Sequence, residues 1–283
     1  MVLLAATFIF INFHGLLEYL PASRNNEALG KPRLSVLSYN TGFYNEKPET
    51  YSLKDHEQTF QEWLMEVDAD VICLQESVHE SLRDNFKKSE KYPFKFFLEN
   101  TYGLGGLTIL SKYKFIEQGV IFQGDWKRYN GAIYVDIRIG DDTLRVINVH
   151  LHSMGLFNPF ATGYFARTIK NNLNAIRVGA LIRRKQIIKL NQFLNSTEIP
   201  MIMCADLNET AHSFGYNLIS KKVTDTFFES GNGFGFTLNK PFLNHLRIDY
   251  HFHNDRIHPH ILTVFSNIEF SQHFPVYGIY EVK

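Results

Sequence analysis

Short apolar runs in this chain repeatedly end in a polar residue able to bind a metal ion or a phosphate: Asn40, Glu76, His150, Asp206 with Asn208, Asp249 and His273. In layered α/β folds, strand ends present such residues along one rim of a sheet, where ligands bind. Each residue alone has a plainer explanation. Asn40 is a natural turn former, Glu76 suits a strand-end surface acid, and Asp206 with Asn208 suits an Asx-type loop. His150 and His152 lie two apart on a strand and share a face, so one of them fits a bonded core histidine equally well. Surface solvation does not explain six such ends together. The conjunction points to one polar, metal-competent site.

Elements must carry these residues to one place. Leu34–Tyr39 alternates in polarity and runs into Asn40-Thr41-Gly42, a strand entering a loop. Within Asp55–Val67, Phe60, Trp63, Leu64 and Val67 form a helical stripe. Ala69–Leu74 is a continuous apolar strand leading to Gln75-Glu76. Further strands are predicted at Lys95–Leu98, Leu107–Leu110, Ala132–Ile139 and Leu144–Leu151, the last two joined by a turn at Asp141-Asp142. A long basic helix is predicted over Asn172–Asn195, then strands over Ile199–Ala205, Ile248–Phe252, Ile261–Phe265 and Val276–Val282. No repeat, low-complexity tract or Pro/Gly-rich linker divides residues 34–283, which predicts one domain there.

Lys+Arg and Asp+Glu both number 29, so the formal charge is zero. Non-specific binding to nucleic acid usually demands a basic excess. Neutrality therefore weighs against a dedicated nucleic-acid binder, though not against an enzyme with a local basic rim. Cys73 and Cys204 sit in apolar runs and read as core thiols. There is also no Gly-x-Ser-x-Gly elbow, which disfavours a metal-free serine or cysteine hydrolase.

Residues 1–22 differ from the rest. Val2–Phe13 is almost wholly apolar but shorter than the roughly 20 residues of a full span, and His14 and Glu18 follow it. No basic residue precedes it and no clear cleavage site follows. It reads as a tilted or truncated membrane anchor, ahead of a poor signal peptide or a buried helix, with 23–33 as a linker. Arg24, Lys31 and Arg33 slightly favour a cytoplasmic, membrane-associated domain.

Ser38-Tyr39-Asn40, Leu74-Gln75-Glu76, Ile109-Leu110-Ser111, Asn148-Val149-His150-Leu151, Asp206-Leu207-Asn208, Arg247-Ile248-Asp249-Tyr250 and Gln272-His273 occur in an order that resembles the endonuclease/exonuclease/phosphatase superfamily. The resemblance runs from about Leu34 to Lys283. Gly231-Asn232-Gly233-Phe234-Gly235 is similar to a bacterial, often membrane-tethered branch seen in the Bacteroidetes. The resemblance implies an α/β fold, a four-layer α/β/β/α sandwich of two packed, mostly antiparallel sheets. It also implies a Mg²⁺-dependent phosphodiesterase or phosphatase, with Mn²⁺ as a substitute ion, acting as a monomer.

On the same grounds Glu76 is expected to be the principal metal ligand, with Asn40 a second ligand or phosphate contact. A hard cation prefers such oxygen donors. His273 is expected to be the general base, oriented by Asp249. His150 would donate to the phosphate or assist the leaving group, and Asp206 with Asn208 would hold the phosphate, the water or a second metal. His152 is expected just behind the site or at its rim, Ser111 to close a strand turn, and Arg183 with Gln186 to brace the sandwich.

Two departures stand out. Gln272 occupies the place of an Asp that ordinarily contributes to the metal site, keeping an oxygen donor but losing its charge. Ala205 replaces a common Gly. The alternative reading is therefore a catalytically impaired, membrane-tethered binding module on the same fold. The stretch Phe157–Arg184, with Phe160, Tyr164 and Phe165 among Arg167 and Lys170, could stack on bases or lipid head groups, or pack inward as a cover. Nucleic acid and phospholipid are both expected substrates, the latter favoured by the anchor.

Overall fold

The computed structural model describes residues 30, 32–42, 60–77, 84, 86–99, 105–124, 129–153, 155–156, 163–240 and 245–283. The segment 1–22, most of the 23–33 linker and Phe160 lie outside them. Two six-stranded sheets form the centre. The first has β1 (Arg33–Asn40), β2 (Val71–Gln75), β3 (Phe94–Glu99), β4 (Gly105–Ser111), β11 (Ile257–Val264) and β12 (Val276–Val282), in the order β11-β12-β1-β2-β4-β3. The second has β5 (Phe115–Gln123), β6 (Gly131–Ile139), β7 (Asp142–His150), β8 (Met201–Asp206), β9 (Thr224–Asp225) and β10 (Asp249–His253), in the order β5-β6-β7-β8-β10-β9.

Pairing is antiparallel throughout except for β1 with β2 and β7 with β8. Each sheet thus keeps one parallel pair near its centre. Parallel neighbours end at the same edge, which places Asn40 beside Gln75 and His150 beside Asp206. Antiparallel β10 then starts where β8 ends, with Asp249 opposite Asp206.

Alternation along the strands sorts side chains into layers. Val36, Val71, Cys73, Ile109, Val146, Ile202 and Cys204 fill the space between the sheets. Leu37, Tyr39, Ile72 and Leu74 point to the outer face of the first sheet, under helix α1 (Phe60–Val67). That helix buries Phe60, Trp63 and Leu64, each contributing roughly 1.5–3 kcal/mol. Ile147, Val149, Met201 and Met203 point to the outer face of the second sheet. They meet the C-terminal part of α2 (Phe165–Asn195) through Ile187, Leu190 and Leu194, and α3 (Phe214–Ile219) through Tyr216 and Ile219. The result is the four-layer α/β/β/α sandwich expected.

Polar groups also cross between the sheets. Asn148 of β7 donates from Nδ2 to the carbonyls of Leu74 and Thr108, both at 2.9 Å, and accepts from Gln75 Nε2 at 2.7 Å. His251, fully buried, is bonded to the Tyr280 hydroxyl at 2.7 Å, and burial pushes its pKa down to about 3. It is a neutral core histidine.

Several elements escaped sequence reading. β5 is an edge strand with most residues exposed or half-exposed, so it lacks an apolar alternation. α3, α4 (Thr226–Ser230) and β9 are too short for a periodic signal. α2 starts seven residues earlier than predicted, at Phe165 rather than Asn172.

Candidate active site

Asn40, Glu76, His150, Asp206, Asn208, Asp249 and His273 come together at one rim of both sheets. Asn40 Nδ2 donates to Asp206 Oδ2 at 2.8 Å, a bond that spans the two sheets, and Asn40 Oδ1 accepts from the Gly42 amide at 2.9 Å. Both bonds fix the orientation of its amide, and Oδ1 keeps a second lone pair for a ligand. Asp206 Oδ1 accepts from the Asn208 amide at 2.9 Å, and Asn208 Nδ2 donates to the Leu151 carbonyl at 3.1 Å. Asn208 and Glu76 both have positive φ, 49° and 52°. That backbone region is sparsely used outside glycine and costs of order 1 kcal/mol or more. Strain of this kind aims side chains that a regular strand would point elsewhere.

His150 is fully buried. Its Nδ1 donates to the Tyr129 carbonyl at 3.2 Å. The opposite nitrogen, Nε2, has no hydrogen-bond partner among the described residues and lies 3.4 Å from Glu76 Oε1 and 3.6 Å from Asp206 Oδ2. A buried polar atom without a bond costs about 1–3 kcal/mol, so Nε2 marks a place for a polar atom of a ligand. Gly106 makes this geometry attainable: a Cβ there would sit 2.7 Å from the Tyr129 carbonyl oxygen.

Asp249 and His273 form a dyad. His273 Nδ1 donates to Asp249 Oδ2 at 2.9 Å. Thr237 Oγ1 accepts from the amides of Ile248 and Asp249 at 3.1 and 3.0 Å, and the Thr237 carbonyl accepts from the Phe274 amide at 2.7 Å. One residue thus ties both dyad members to the same loop. The Ser271 hydroxyl donates to the Asn40 carbonyl at 2.6 Å and accepts from the His273 amide at 2.9 Å, locking that loop to β1.

Burial disfavours the His273 cation, but the charge and hydrogen bond of Asp249, with Asp206 and Glu76 nearby, outweigh it and raise the pKa to about 9. For Asp249, burial and the Asp206 charge push the carboxyl up while His273 pulls it back.

Asp206, Asp249 and His273 offer ligand atoms within 4.8 Å of one another, the one convergent His/Cys/Asp/Glu group of metal-binding type among the described residues. His273 Nδ1 is already given to Asp249, so this convergence reflects the dyad as much as a cage. Glu76 is different. Its carboxylate makes no hydrogen bond among the described residues and its side chain is 15% exposed, which leaves it open to a cation from solvent. With oxygen donors from Glu76, Asp206 and Asn40 around it, the rim fits a hard divalent ion.

Gln272 does not join this cluster: it is exposed, and its carbonyl accepts the Asn239 amide at 2.7 Å. His152 lies behind the rim, buried, its amide donating to Gln186 Oε1 at 3.0 Å. Arg183 is buried and bonds Glu209 Oε1 at 2.7 Å and the His152 carbonyl at 2.9 Å. Gln186 Nε2 donates to Asn130 Oδ1 at 2.7 Å, so both helix residues act as braces. Ser111 Oγ accepts from the Tyr113 amide at 2.9 Å and closes the β4–β5 turn.

Sequence reasoning missed Thr237, Tyr129 and Lys240. Lys240 donates to the Leu156 carbonyl at 3.0 Å; burial lowers its pKa, and the field of Glu76 opposes the shift. Nothing in the local sequence distinguishes that lysine from a surface one. The glycine-rich stretch has a packing reason, since a Cβ on Gly231 would lie 2.4 Å from the Phe227 ring.

The family model described as Endonuclease/Exonuclease/phosphatase family matches residues 37–273. No match emerges among curated proteins. Among solved structures, humanized D. rerio TDP2 carrying 14 mutations is similar at 17% identity and TM-score 0.66, over 88% of this chain and 99% of that one. Sphingomyelinase C from Streptomyces griseocarneus is similar at 19% identity and TM-score 0.59, over 87% and 99%. An endonuclease/exonuclease/phosphatase from Bacteroides vulgatus is similar at 15% identity and TM-score 0.62, over 89% and 100%. At these identities the likeness is one of fold.

Proposed function

The chain belongs to the Endonuclease/Exonuclease/phosphatase family, whose members hydrolyse phosphodiester bonds, and from that premise we propose that it is a divalent-metal-dependent hydrolase of a phosphate ester. The observation that carries this reading is the His273–Asp249 dyad at 2.9 Å beside the open Glu76 carboxylate and the unbonded Nε2 of His150. Asp249 holds the His273 Nδ1 proton and fixes the tautomer, leaving Nε2 to take a proton from an attacking water. As the new P–O bond forms and the ester P–O bond breaks, the Asp249 charge stabilises the imidazolium. Nδ1 of His150 donates to the Tyr129 carbonyl, so Nε2 can donate to a phosphoryl oxygen or to the departing alkoxide only from the doubly protonated ring. Asp206 and Asn208 hold Asn40 and the Leu151 carbonyl in place, keeping the rim closed on the phosphate.

Mg²⁺ is the ion this donor set suits, with Mn²⁺ a workable substitute; held by Glu76, with Asn40 and Asp206 beside it, it would supply charge neutralisation at the phosphoryl oxygens. With Gln272 exposed and outside that shell, the charge that the Asp of the family pattern would bring is missing, which favours weakened ion affinity over loss of the reaction. The membrane-tethered binding module, the alternative expected from Gln272, would keep the fold and lose turnover.

Hydrolysis of bis(p-nitrophenyl) phosphate in Mg²⁺ separates the two. Turnover abolished by EDTA and strongly reduced by Glu76→Gln supports the hydrolase. Turnover indifferent to both removes the metal-dependent reading, and no turnover with any divalent ion favours the binding module. The apolar segment 2–13 supports a membrane-associated enzyme, Arg24, Lys31 and Arg33 slightly favour a domain on the cytoplasmic side, and the described residues bring the site together within one copy of the chain.

A further inference from the structure

The first two thirds of α2 are turned inside out. Before Ile187 its buried residues are Thr168, Gly179, Arg183 and Gln186. Phe165 (49% exposed), Ile169, Leu173 (64%), Ile176 and Leu181 (56%) lie open. Phe165, Ile169, Leu173 and Ile176 follow one another at intervals of four, four and three, which sets them on a single stripe. Ile176 and Leu181 continue into a groove of about 780 Å³, walled also by Phe214 and Leu246, that reaches Asn208 and Glu209 at the edge of the site.

Charge adds a second, independent signal. The helix contains no acidic residue, while Arg167, Lys170, Arg177, Arg184, Lys185 and Lys189 are exposed along it. In a chain whose acids and bases balance, one sign is concentrated on one element. Basic side chains with long apolar stems, beside a row of large aliphatic groups, are what a helix lying in a bilayer interface displays.

We propose that the outer face of α2 between Phe165 and Leu181 docks on an anionic phospholipid bilayer, seats its aliphatic stripe at the acyl boundary and passes a membrane-borne phosphodiester along the groove to the rim. The choice of substrate rests on the hydrolase reading; the membrane contact does not. A second copy of the chain fits less well, because symmetric packing would set the exposed cations of this segment, Arg167, Lys170 and Arg177, against their equivalents. Nucleic acid would satisfy the cations but leave Ile169, Leu173 and Ile176 without partners, since aliphatic side chains offer no stacking plane.

Cys73 and Cys204 are fully buried, so a cysteine introduced at Leu173→Cys in the full chain can be labelled selectively with the environment-sensitive fluorophore NBD. On vesicles of phosphatidylglycerol and phosphatidylcholine the label is expected to shift to the blue and brighten severalfold, while one at Asp255→Cys, in the turn between β10 and β11, stays unchanged. The double substitution Ile169→Glu with Leu173→Glu is expected to slow hydrolysis of vesicle phospholipid about tenfold and to leave bis(p-nitrophenyl) phosphate turnover as it was. An unchanged label at 173 with every vesicle overturns the docking. So does a change that follows protein concentration alone or a DNA oligonucleotide in preference to vesicles. If bis(p-nitrophenyl) phosphate were not hydrolysed while the label still responded to vesicles, the catalytic reading would fall and the docking surface would stand.

Discussion

At the rim of strand ends, carboxylates, amides and imidazoles are buried or half-buried and several are bonded to one another, as His273 is to Asp249 and Asn40 to Asp206, and their positions follow from strand register. On the outer part of α2, aliphatic side chains are exposed and the small and polar residues are buried. Both regions break the usual sorting of residues by polarity, at opposite poles of the same rule. The rim tolerates buried polar groups because most of them have a hydrogen-bond partner, and among those that do not, His150 Nε2 faces the place where substrate would sit. On the helix, Ile169, Leu173 and Ile176 are exposed, and no described residue covers them. A buried polar cluster can be complete within one chain; an exposed apolar stripe has its complement elsewhere.

That contrast can be broken or sharpened by substitution. The largest effect is expected from His273→Ala, which should lower kcat/KM on bis(p-nitrophenyl) phosphate roughly 1,000-fold with an unchanged far-UV spectrum; a loss below tenfold would remove His273 as the base. Next comes Arg183→Met, which strands the Glu209 carboxylate beneath the helix and should cost about 3 kcal/mol in urea unfolding.

Asp249→Asn should reduce the plateau rate roughly 100-fold and also shift the pH profile. Because Asp249 favours the His273 cation and raises its pKa to about 9, the base form is gained as pH rises, and kcat/KM should climb towards that value. Removing the charge lowers the pKa, so the rising limb should move to lower pH. A limb that stays in place would mean that another group titrates. The smallest effect is expected from Leu173→Ser, within about 0.5 kcal/mol of the parent in the same unfolding assay. A large loss there would show that the stripe is internal packing, and the contrast between the two regions would vanish.

Much of the rim was legible because its carriers are local signals. Val71–Gln75 and Met201–Asp206 are wholly buried strands, written largely as apolar runs, and the rim residue either ends the strand, as Asp206 does, or follows it directly, as Glu76 does. The His273–Asp249 pairing came from motif resemblance, since no local pattern joins positions 24 apart. Tyr129 and Thr237 could not be read in advance: one acts through a backbone carbonyl and the other through a hydroxyl that caps two amides, neither of which leaves a trace in composition. The start of α2 was missed for a related reason. Its apolar residues face away from the molecule, so they mimic neither a core stripe nor a polar surface. Gln272 was assigned to the metal shell by alignment with a motif, and the backbone carries it outward instead.

Asn148 has a consequence beyond holding two layers together. Its amide grips two carbonyls and one amide of the opposite sheet, so a slide of one sheet past the other by a single residue would orphan three buried bonds at about 1–3 kcal/mol each. Glu76 and Asn40 belong to one sheet, Asp206 and His150 to the other. The clearance available to a phosphate at the mouth of the molecule is therefore gauged by an alignment pin set in its interior, out of reach of any substrate.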